Sequence, residues 1–329
     1  MSASLNKVIS SPDSITCNWL SEVLQEEVIS FKMNVEGSNW SSQVPLKVTL
    51  NDGRMTSLRV KICTGSSFGR SEVDYYTRDY VSMVDAPIVK CWNAVFDAKV
   101  GYHLVLDDLA ETHSNRRDVP PNLRYGLAVA KALGRLHKHH WESRPVPSQE
   151  LLDRYFEEFR PGIAAVKNLS GHDLSTKASA AEKLLRNRLM DERGLSLLHG
   201  DLNSMNILTP IGHDSPVYFI DRQPFEWSLT YGLAIHDLAY LLVLWWPEDV
   251  RKEHEAEIIR CWHREVGDRS YQWAQALADW KIAVSQCLHV PLERCSKPDT
   301  AETMRWLWEV QLSRVLSAMK SADDIEDVE

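Results

Sequence analysis

The sequence predicts an α+β protein of two lobes, a small antiparallel sheet with one inserted helix and a larger, mainly helical part. Two patterns support this prediction. Apolar residues alternate with polar ones in much of the first 108 residues, whereas beyond them apolar residues recur mainly at helical spacing. The length of 329 residues also suits two lobes. We therefore expect a sheet lobe over residues 1–108 and a helical lobe over 109–329.

The sheet lobe begins with a helix, because residues 14–28 carry an apolar stripe at helical spacing. Residues 31–62 then have the strand pattern, with alternate apolar positions at Val44, Leu46, Val48 and Leu50. The tripeptide Asn51-Asp52-Gly53 predicts a tight hairpin between two of these strands. A helix over roughly 70–84 and a second strand pair, 88–96 and 102–106, complete the lobe.

The helical lobe begins with a helix opened by Pro120-Pro121 and ending near Trp141. Further helices are expected over 148–168, 177–193 and much of 232–320. A short hairpin, 206–209 with 217–221, interrupts them.

Composition excludes several classes of function. The net charge of −9 argues against binding to nucleic acid or to an anionic membrane surface. The six cysteines form no CxxC pair, which favours reduced thiols in a cytoplasmic protein. We expect neither a signal peptide nor a transmembrane helix.

The most informative stretch runs from His199-Gly200-Asp201 to Asn206, with Asp221 after the short hairpin. The spacing from Asp201 to Asn206 equals that of the kinase catalytic loop H-R-D-L-x-x-x-N. Phosphoryl transfer needs one carboxylate that accepts the proton of an attacking hydroxyl. It also needs a carboxylate and an amide that hold Mg²⁺ against the nucleotide phosphates.

These residues resemble the aminoglycoside phosphotransferase and choline/ecdysteroid kinase-like branch of the protein-kinase-like fold. The motifs that match are His199-Gly200-Asp201 with Asn206, then Ile220-Asp221-Arg222-Gln223, and later Asp237-Leu238-Ala239. The resemblance covers residues from about 30 to 320. It implies a bilobal fold in which ATP and Mg²⁺ bind between the lobes.

The resemblance also implies the role of each matching residue. Asp201 is the catalytic base, and Asn206 and Asp221 hold Mg²⁺. His199 supports the loop, and Asp237 braces it without direct chemistry. The partner of Arg222 stays open between a phosphate group and Glu226.

A lysine on the third strand completes the expected nucleotide site. Lys61 can reach the α- and β-phosphates, and Glu72 at the start of the next helix can anchor it. Lys47 and Arg59 are rivals for the role of Lys61, and Asp74 is the rival of Glu72.

Two backbone segments are expected to contact the nucleotide. The segment Gly37-Ser38-Asn39-Trp40-Ser41-Ser42 is the candidate phosphate-covering loop, in which the small residues Gly37, Ser38 and Ser41 let backbone N–H groups and hydroxyls approach phosphate. An ordinary hairpin turn is the alternative. The segment Leu104-Val105-Leu106-Asp107-Asp108-Leu109 fits the hinge where, in the family, adenine bonds to the backbone, and Asp107 and Leu109 are its candidate nucleotide-binding residues.

Two departures from protein kinases indicate a small acceptor. Gly200 replaces the arginine that in many protein kinases reads an activation-loop phosphate. Only fifteen residues separate Asp221 from Asp237, too few for a segment that presents a peptide. The acceptor is left open between aminoglycoside-, amino alcohol- and sterol-like molecules. Tryptophans after residue 225 can line its pocket or simply fill the core.

The sequence therefore predicts an ATP- and Mg²⁺-dependent phosphotransferase acting on a hydroxyl of a small molecule. The main alternative is a pseudokinase or nucleotide-binding module of the same fold, favoured by the glycine-poor loop at Gly37. A metal-dependent hydrolase using the same acidic groups is a more remote alternative. Oligomeric state is left open.

Overall fold

The computed structural model describes residues 5–37, 41–212 and 216–322. The chain divides into two compact units, Met1–Asn115 with Leu208–Glu226, and Arg116–Ile207 with Trp227–Glu329. The predicted α+β class is confirmed. The lobe division at residue 108 stays a prediction, and one difference is plain: Leu208–Glu226 groups with the sheet rather than with the helices.

One antiparallel sheet dominates the first unit. Its strands are β1 (Val28–Met33), β2 (Glu36–Gly37), β3 (Ser42–Leu50), β4 (Met55–Thr64), β5 (Cys91–Asp97) and β6 (Gly101–Asp107). They pair in the order β1-β3-β4-β6-β5, with β2 beside β3. The alternation in β3 has the expected cause, because Val44 and Val48 are buried while Lys47 is exposed. Gly53 takes a φ of +84° in the hairpin between β3 and β4.

Two predicted helices of this unit are shorter than expected. The first becomes α1 (Cys17–Leu24). The Thr16 side chain caps its start by accepting from the N–H of Trp19, and Gln25, directly after its last residue, has a left-handed φ of +57° that stops the helix. The helix expected over 70–84 becomes α2 (Ser71–Asp74), continued by a π-helical turn over Tyr75–Asp79. It therefore ends at Asp79 rather than at residue 84.

Three short strands, β7 (His113–Ser114), β9 (Ile207–Pro210) and β10 (Tyr218–Phe219), form a small sheet in the order β10-β9-β7. Strands β9 and β10 correspond to the predicted hairpin, which separates Asn206 from Asp221 in sequence. Asn206 directly precedes β9, and Asp221 follows the end of β10 by two residues.

The second unit is mainly helical, with strands β8 (Leu195–Leu197) and β11 (Tyr231–Leu233) paired antiparallel. Its helices are α3 (Leu123–His139), α4 (Gln149–Glu157), α5 (Arg160–Ser170), α6 (Ser175–Arg188), α7 (Ile235–Trp245), α8 (Glu248–Val266), α9 (Trp273–Gln286), α10 (His289–Ser296), α11 (Pro298–Thr303) and α12 (Arg305–Ser321). The single helix expected over 148–168 is in fact α4 and α5. Pro161 in the first turn of α5 explains the break, because proline is tolerated there but not in a helix interior.

Helix α7 is the centre of this unit, since every residue from Ile235 to Leu244 is buried. Trp246, Trp262, Trp280 and Trp308 are also fully buried, so these four tryptophans belong to the core, whereas Trp306 is 70% exposed. Among the described residues, no helix is both long enough and apolar enough to cross a membrane.

Candidate active site

The loop after β8 carries the His-Gly-Asp motif. His199 is buried, and its Nδ1 accepts a 3.4 Å hydrogen bond from the N–H of Asp201. Gly200 has a φ of +80°, in the left-handed region that favours glycine. The turn that presents Asp201 therefore depends on the residue type that replaces the arginine of protein kinases.

Asp237, on the buried helix α7, accepts hydrogen bonds from the backbone of this turn. Its carboxylate accepts from the backbone N–H of His199 at 2.7 Å and of Gly200 at 2.9 Å, and it contacts His137 Nε2 at 3.1 Å. Trp262 donates to His137 Nδ1 at 3.1 Å, so the His137 proton that faces Asp237 is on Nε2. Burial alone would raise the pKa of Asp237, but the hydrogen bonds lower it to about 2. The carboxylate is thus ionised and braces the loop.

Three side chains donate to the Asp201 carboxylate. Its Oδ1 accepts from the Tyr240 hydroxyl at 2.7 Å and from Asn203 Nδ2 at 3.1 Å. Its Oδ2 accepts from Asn206 Nδ2 at 3.1 Å. Burial, with the nearby Asp201 charge, raises the pKa of Tyr240 well above its usual value, so this hydroxyl is a neutral donor. The carboxylate is therefore fixed in orientation by contacts on both oxygens.

The first unit contains a second cluster of charged groups, around Lys61. The Lys61 ammonium contacts the Glu72 oxygens at 2.7 and 2.9 Å and Asp221 Oδ1 at 3.2 Å. Burial lowers the pKa of Lys61, but the charges of Asp221 and Glu72 outweigh this effect and raise it above its usual value. The Tyr102 hydroxyl also donates to Glu72. Lys61 is therefore a buried cation between two carboxylates.

The rival residues have other partners. Lys47 is exposed and contacts Ser57 and Glu111. Arg59 pairs with Glu36 at 3.3 Å and with Asp108 at 3.5 Å.

Asp74, the rival of Glu72, pairs with Arg70 and Arg78, each at 3.0 Å. Of the lysine or arginine and carboxylate candidates for the phosphate-binding pair, Lys61 and Glu72 are thus the two that contact each other.

The two predicted backbone segments are partly described. Gly37 lies in β2 opposite Ser42, and the Ser41 hydroxyl accepts from Gln43 at 3.2 Å. Ser38 lies outside the described residues.

Asp107 ends β6 and accepts from the Trp92 indole at 2.6 Å. The Leu109 carbonyl accepts from the N–H groups of Thr112 and His113 at 2.9 and 2.8 Å. The nucleotide contacts expected of both segments stay predictions.

The predicted metal ligands suit a hard cation in their chemistry. Asp221 offers carboxylate oxygens, and its side chain is 35% exposed. Asn206 turns its amide nitrogen toward Asp201, so its oxygen is the end that can ligate. A magnesium ion bound by a few protein oxygens together with nucleotide phosphates needs no larger protein cage. Among the residues described, no three His, Cys, Asp or Glu side chains cluster as a metal site.

Sequence reasoning missed Asn203, Tyr102 and the contact of Tyr240 with Asp201. Tyr240 follows Asp237 by three residues in one helix, a spacing that places both on the same face. That spacing could have suggested that both residues serve the same loop. Tyr102 carries no comparable signal in its own strand.

The model of the phosphotransferase enzyme family matches residues 86–277, more than half of the chain. No curated protein sequence matches at a significant level.

Several solved structures have the same fold at low sequence identity. A microcompartment-associated aminopropanol kinase is 14% identical, with a TM-score of 0.56 over 93% of this chain and 98% of its own. An amicoumacin kinase in complex with AMP-PNP and Ca²⁺ is 15% identical, with a TM-score of 0.54 over 90% of each chain. An aminoglycoside phosphotransferase from Alicyclobacillus acidocaldarius is 11% identical, with a TM-score of 0.53 over 92% and 95%. These similarities establish a kinase-like bilobal fold.

Proposed function

The chain belongs to the phosphotransferase enzyme family, and from this premise we propose that it transfers the γ-phosphoryl group of ATP to a hydroxyl of a small molecule. The observation that carries the proposal is the Asp201 carboxylate, held on both oxygens by Tyr240, Asn203 and Asn206. Phosphoryl transfer is catalysed mainly by positioning and electrostatics, so a carboxylate of fixed orientation is what the reaction requires of a base.

In this proposal Lys61 binds the α- and β-phosphates, and Glu72 keeps its ammonium in place. The segments containing Gly37, Ser38 and Ser41, and Asp107 and Leu109, contact the nucleotide through their backbone. The AMP-PNP and Ca²⁺ bound to the amicoumacin kinase support the use of a nucleotide and a divalent cation by this fold.

Asp221 and Asn206 are the proposed Mg²⁺ ligands. When bound, the ion would neutralise charge on the nucleotide phosphates. The protein's own contribution is to hold the ligand oxygens: Lys61 fixes the Asp221 carboxylate, and Asp201 accepts from the Asn206 amide nitrogen.

The acceptor hydroxyl is proposed to donate to Asp201 Oδ2, because Oδ1 already accepts from two side chains. Asp201 then takes the proton as the acceptor oxygen bonds to phosphorus and the bond to ADP breaks. Two structures with this fold are named as an aminopropanol kinase and an aminoglycoside phosphotransferase. This supports a small acceptor, with aminoglycoside-, amino alcohol- and sterol-like molecules still the candidates.

Tyr240→Phe is expected to lower kcat about tenfold, the effect of losing one hydrogen bond of about 1–1.5 kcal/mol that orients the base. The KM for ATP should stay unchanged. The matched control is Tyr271→Phe, which removes another buried tyrosine hydroxyl that donates to a carboxylate, Asp279, at 2.8 Å. The kcat of each variant is measured by steady-state kinetics. If Tyr240→Phe has the same kcat as Tyr271→Phe, Tyr240 does not orient the base.

A panel of acceptors tests the proposed function against the pseudokinase alternative. ADP release is measured with amino alcohols, sugars, sterols and aminoglycosides, each with and without Mg²⁺. The proposal predicts Mg²⁺-dependent release that rises with at least one acceptor. A pseudokinase would bind ATP without turnover, and a hydrolase would release phosphate equally without an acceptor.

A further inference from the structure

Arg222 directly follows the proposed metal ligand Asp221 and is an unusually buried charge, with its side chain 2% exposed. Its Nη1 donates to Asp79 Oδ2 at 2.8 Å and to the Ser71 carbonyl at 3.3 Å. The guanidinium also lies 5.7 Å from the centre of the Tyr75 ring. Asp79 therefore balances its charge inside the protein.

The Asp79 partner is ionised. Burial raises the pKa of Asp79, but the charges and hydrogen bonds of Arg222 and Arg78 outweigh it and lower the pKa below its usual value. Two buried charges in contact are costly to desolvate, and a pair of apolar side chains often stabilises a fold as well or better. Stability alone is therefore a poor reason for this pair.

The pair joins two segments that also contact each other at several other positions. One is residues 68–79, which includes α2, and the other is residues 222–225. Two hydrogen bonds join them as well: the Gly69 N–H donates to the Pro224 carbonyl at 2.7 Å, and the Ser71 hydroxyl donates to the Gln223 carbonyl at 2.5 Å. The rings of Phe68 and Phe225 are also stacked, with their centroids 5.7 Å apart.

A carboxylate that contacts Lys61 lies within the first segment, and another lies directly before the second. Glu72 lies on α2, and Asp221 immediately precedes Arg222; the two contact Lys61 Nζ at 2.7 and 3.2 Å. Asp221 has a φ of +59°, a left-handed conformation that a residue with a side chain keeps only where its surroundings enforce it. The anchored neighbour Arg222 is one such constraint.

We infer that the buried pair of Arg222 and Asp79 is a positioning device, which fixes Asp221 and Glu72 around Lys61 and so prepares the nucleotide and metal site. This inference rests on the proposed function for the roles of Asp221 and Lys61. In this inference both members of the pair act through the residues beside them rather than on the substrate.

The test replaces both charges by apolar side chains, in the variant Arg222→Met/Asp79→Leu. Arg78 can then pair with Asp74, which it already contacts at 3.0 Å. The matched control is Arg251→Met/Glu255→Leu, which removes a comparably buried ion pair within helix α8. Thermal unfolding and titration with AMP-PNP, with and without Mg²⁺, are measured for the wild type and both variants.

We expect both double variants to unfold near the wild-type temperature. Only Arg222→Met/Asp79→Leu should weaken Mg²⁺-dependent AMP-PNP binding, by about 10- to 100-fold, as is usual when the residues that support a metal ligand are removed. Equal binding by this variant and the wild type would overturn the inference while leaving the proposed function intact. A wild type that binds no nucleotide would instead refute the proposed function.

Arg222→Lys keeps the inference testable if the double variant does not fold. Lysine retains the positive charge, but its ammonium cannot reproduce the hydrogen-bond geometry of the planar guanidinium. We expect a folded protein whose AMP-PNP binding is weakened about threefold or more, within the range of small coupling energies. Unchanged binding by this variant would also overturn the inference.

Discussion

Replacing Asp201 by asparagine is expected to lower kcat by about 10²- to 10⁴-fold, the contribution usual for a positioned general base. The amide oxygen of asparagine can still accept from Tyr240, so the loop should keep its shape. The amide cannot take the proton of the acceptor hydroxyl. AMP-PNP binding, measured by calorimetry, should therefore stay close to that of the wild type while turnover is lost.

The control for this variant is Glu253→Gln, which neutralises a carboxylate that is 73% exposed on α8 and should leave kcat unchanged. A near-normal kcat in Asp201→Asn would remove Asp201 from the role of base. A loss of AMP-PNP binding equal to the loss of turnover would mean that the substitution disturbs the site as a whole.

Asp221→Ala has the second large expected effect, on nucleotide binding rather than on proton transfer. In the wild type, Mg²⁺ should tighten AMP-PNP binding, because carboxylate oxygens are the ligands that Mg²⁺ prefers. Without the Asp221 carboxylate, the ratio of the Kd values measured without and with Mg²⁺ should fall to about 1. Lys61 keeps Glu72 as a partner in this variant, so the fold should survive.

A matched control is Asp52→Asn, which neutralises another carboxylate of the same unit that pairs with a basic side chain, Arg54, at 2.5 Å. Its Mg²⁺ effect should equal that of the wild type. Mg²⁺ that still tightens AMP-PNP binding to Asp221→Ala would place the metal ligands elsewhere in the chain.

The fold was predictable where the local pattern of residues determines the local structure. The alternation in β3 and the Asn51-Asp52-Gly53 turn specify an antiparallel hairpin, because side chains on a strand alternate between its two faces. Helix ends were less predictable. Pro161 could have indicated the break between α4 and α5, but the end of the second helix at Asp79 coincides with the ion pair to Arg222, 143 residues away.

The same distinction holds for the candidate site. Asp201 and Asn206 could be paired from their spacing alone, because both lie in one loop whose motif is local. The contacts of Asp201 with Tyr240, and of Arg222 with Asp79, join residues far apart in sequence. Such contacts depend on how the elements pack, which no single-sequence pattern encodes.

The central claim is that the γ-phosphoryl group moves from ATP to an alcohol oxygen with Asp201 as the base. The most direct measurement follows ATP labelled in its γ-phosphate, mixed with Mg²⁺ and the most active acceptor of the panel, in the wild type and in Asp201→Asn. The proposal predicts that the label appears in a phosphate ester of the acceptor with the wild type and is nearly absent from it with the variant. Label recovered only as inorganic phosphate, or an ester formed equally fast by Asp201→Asn, would contradict the claim.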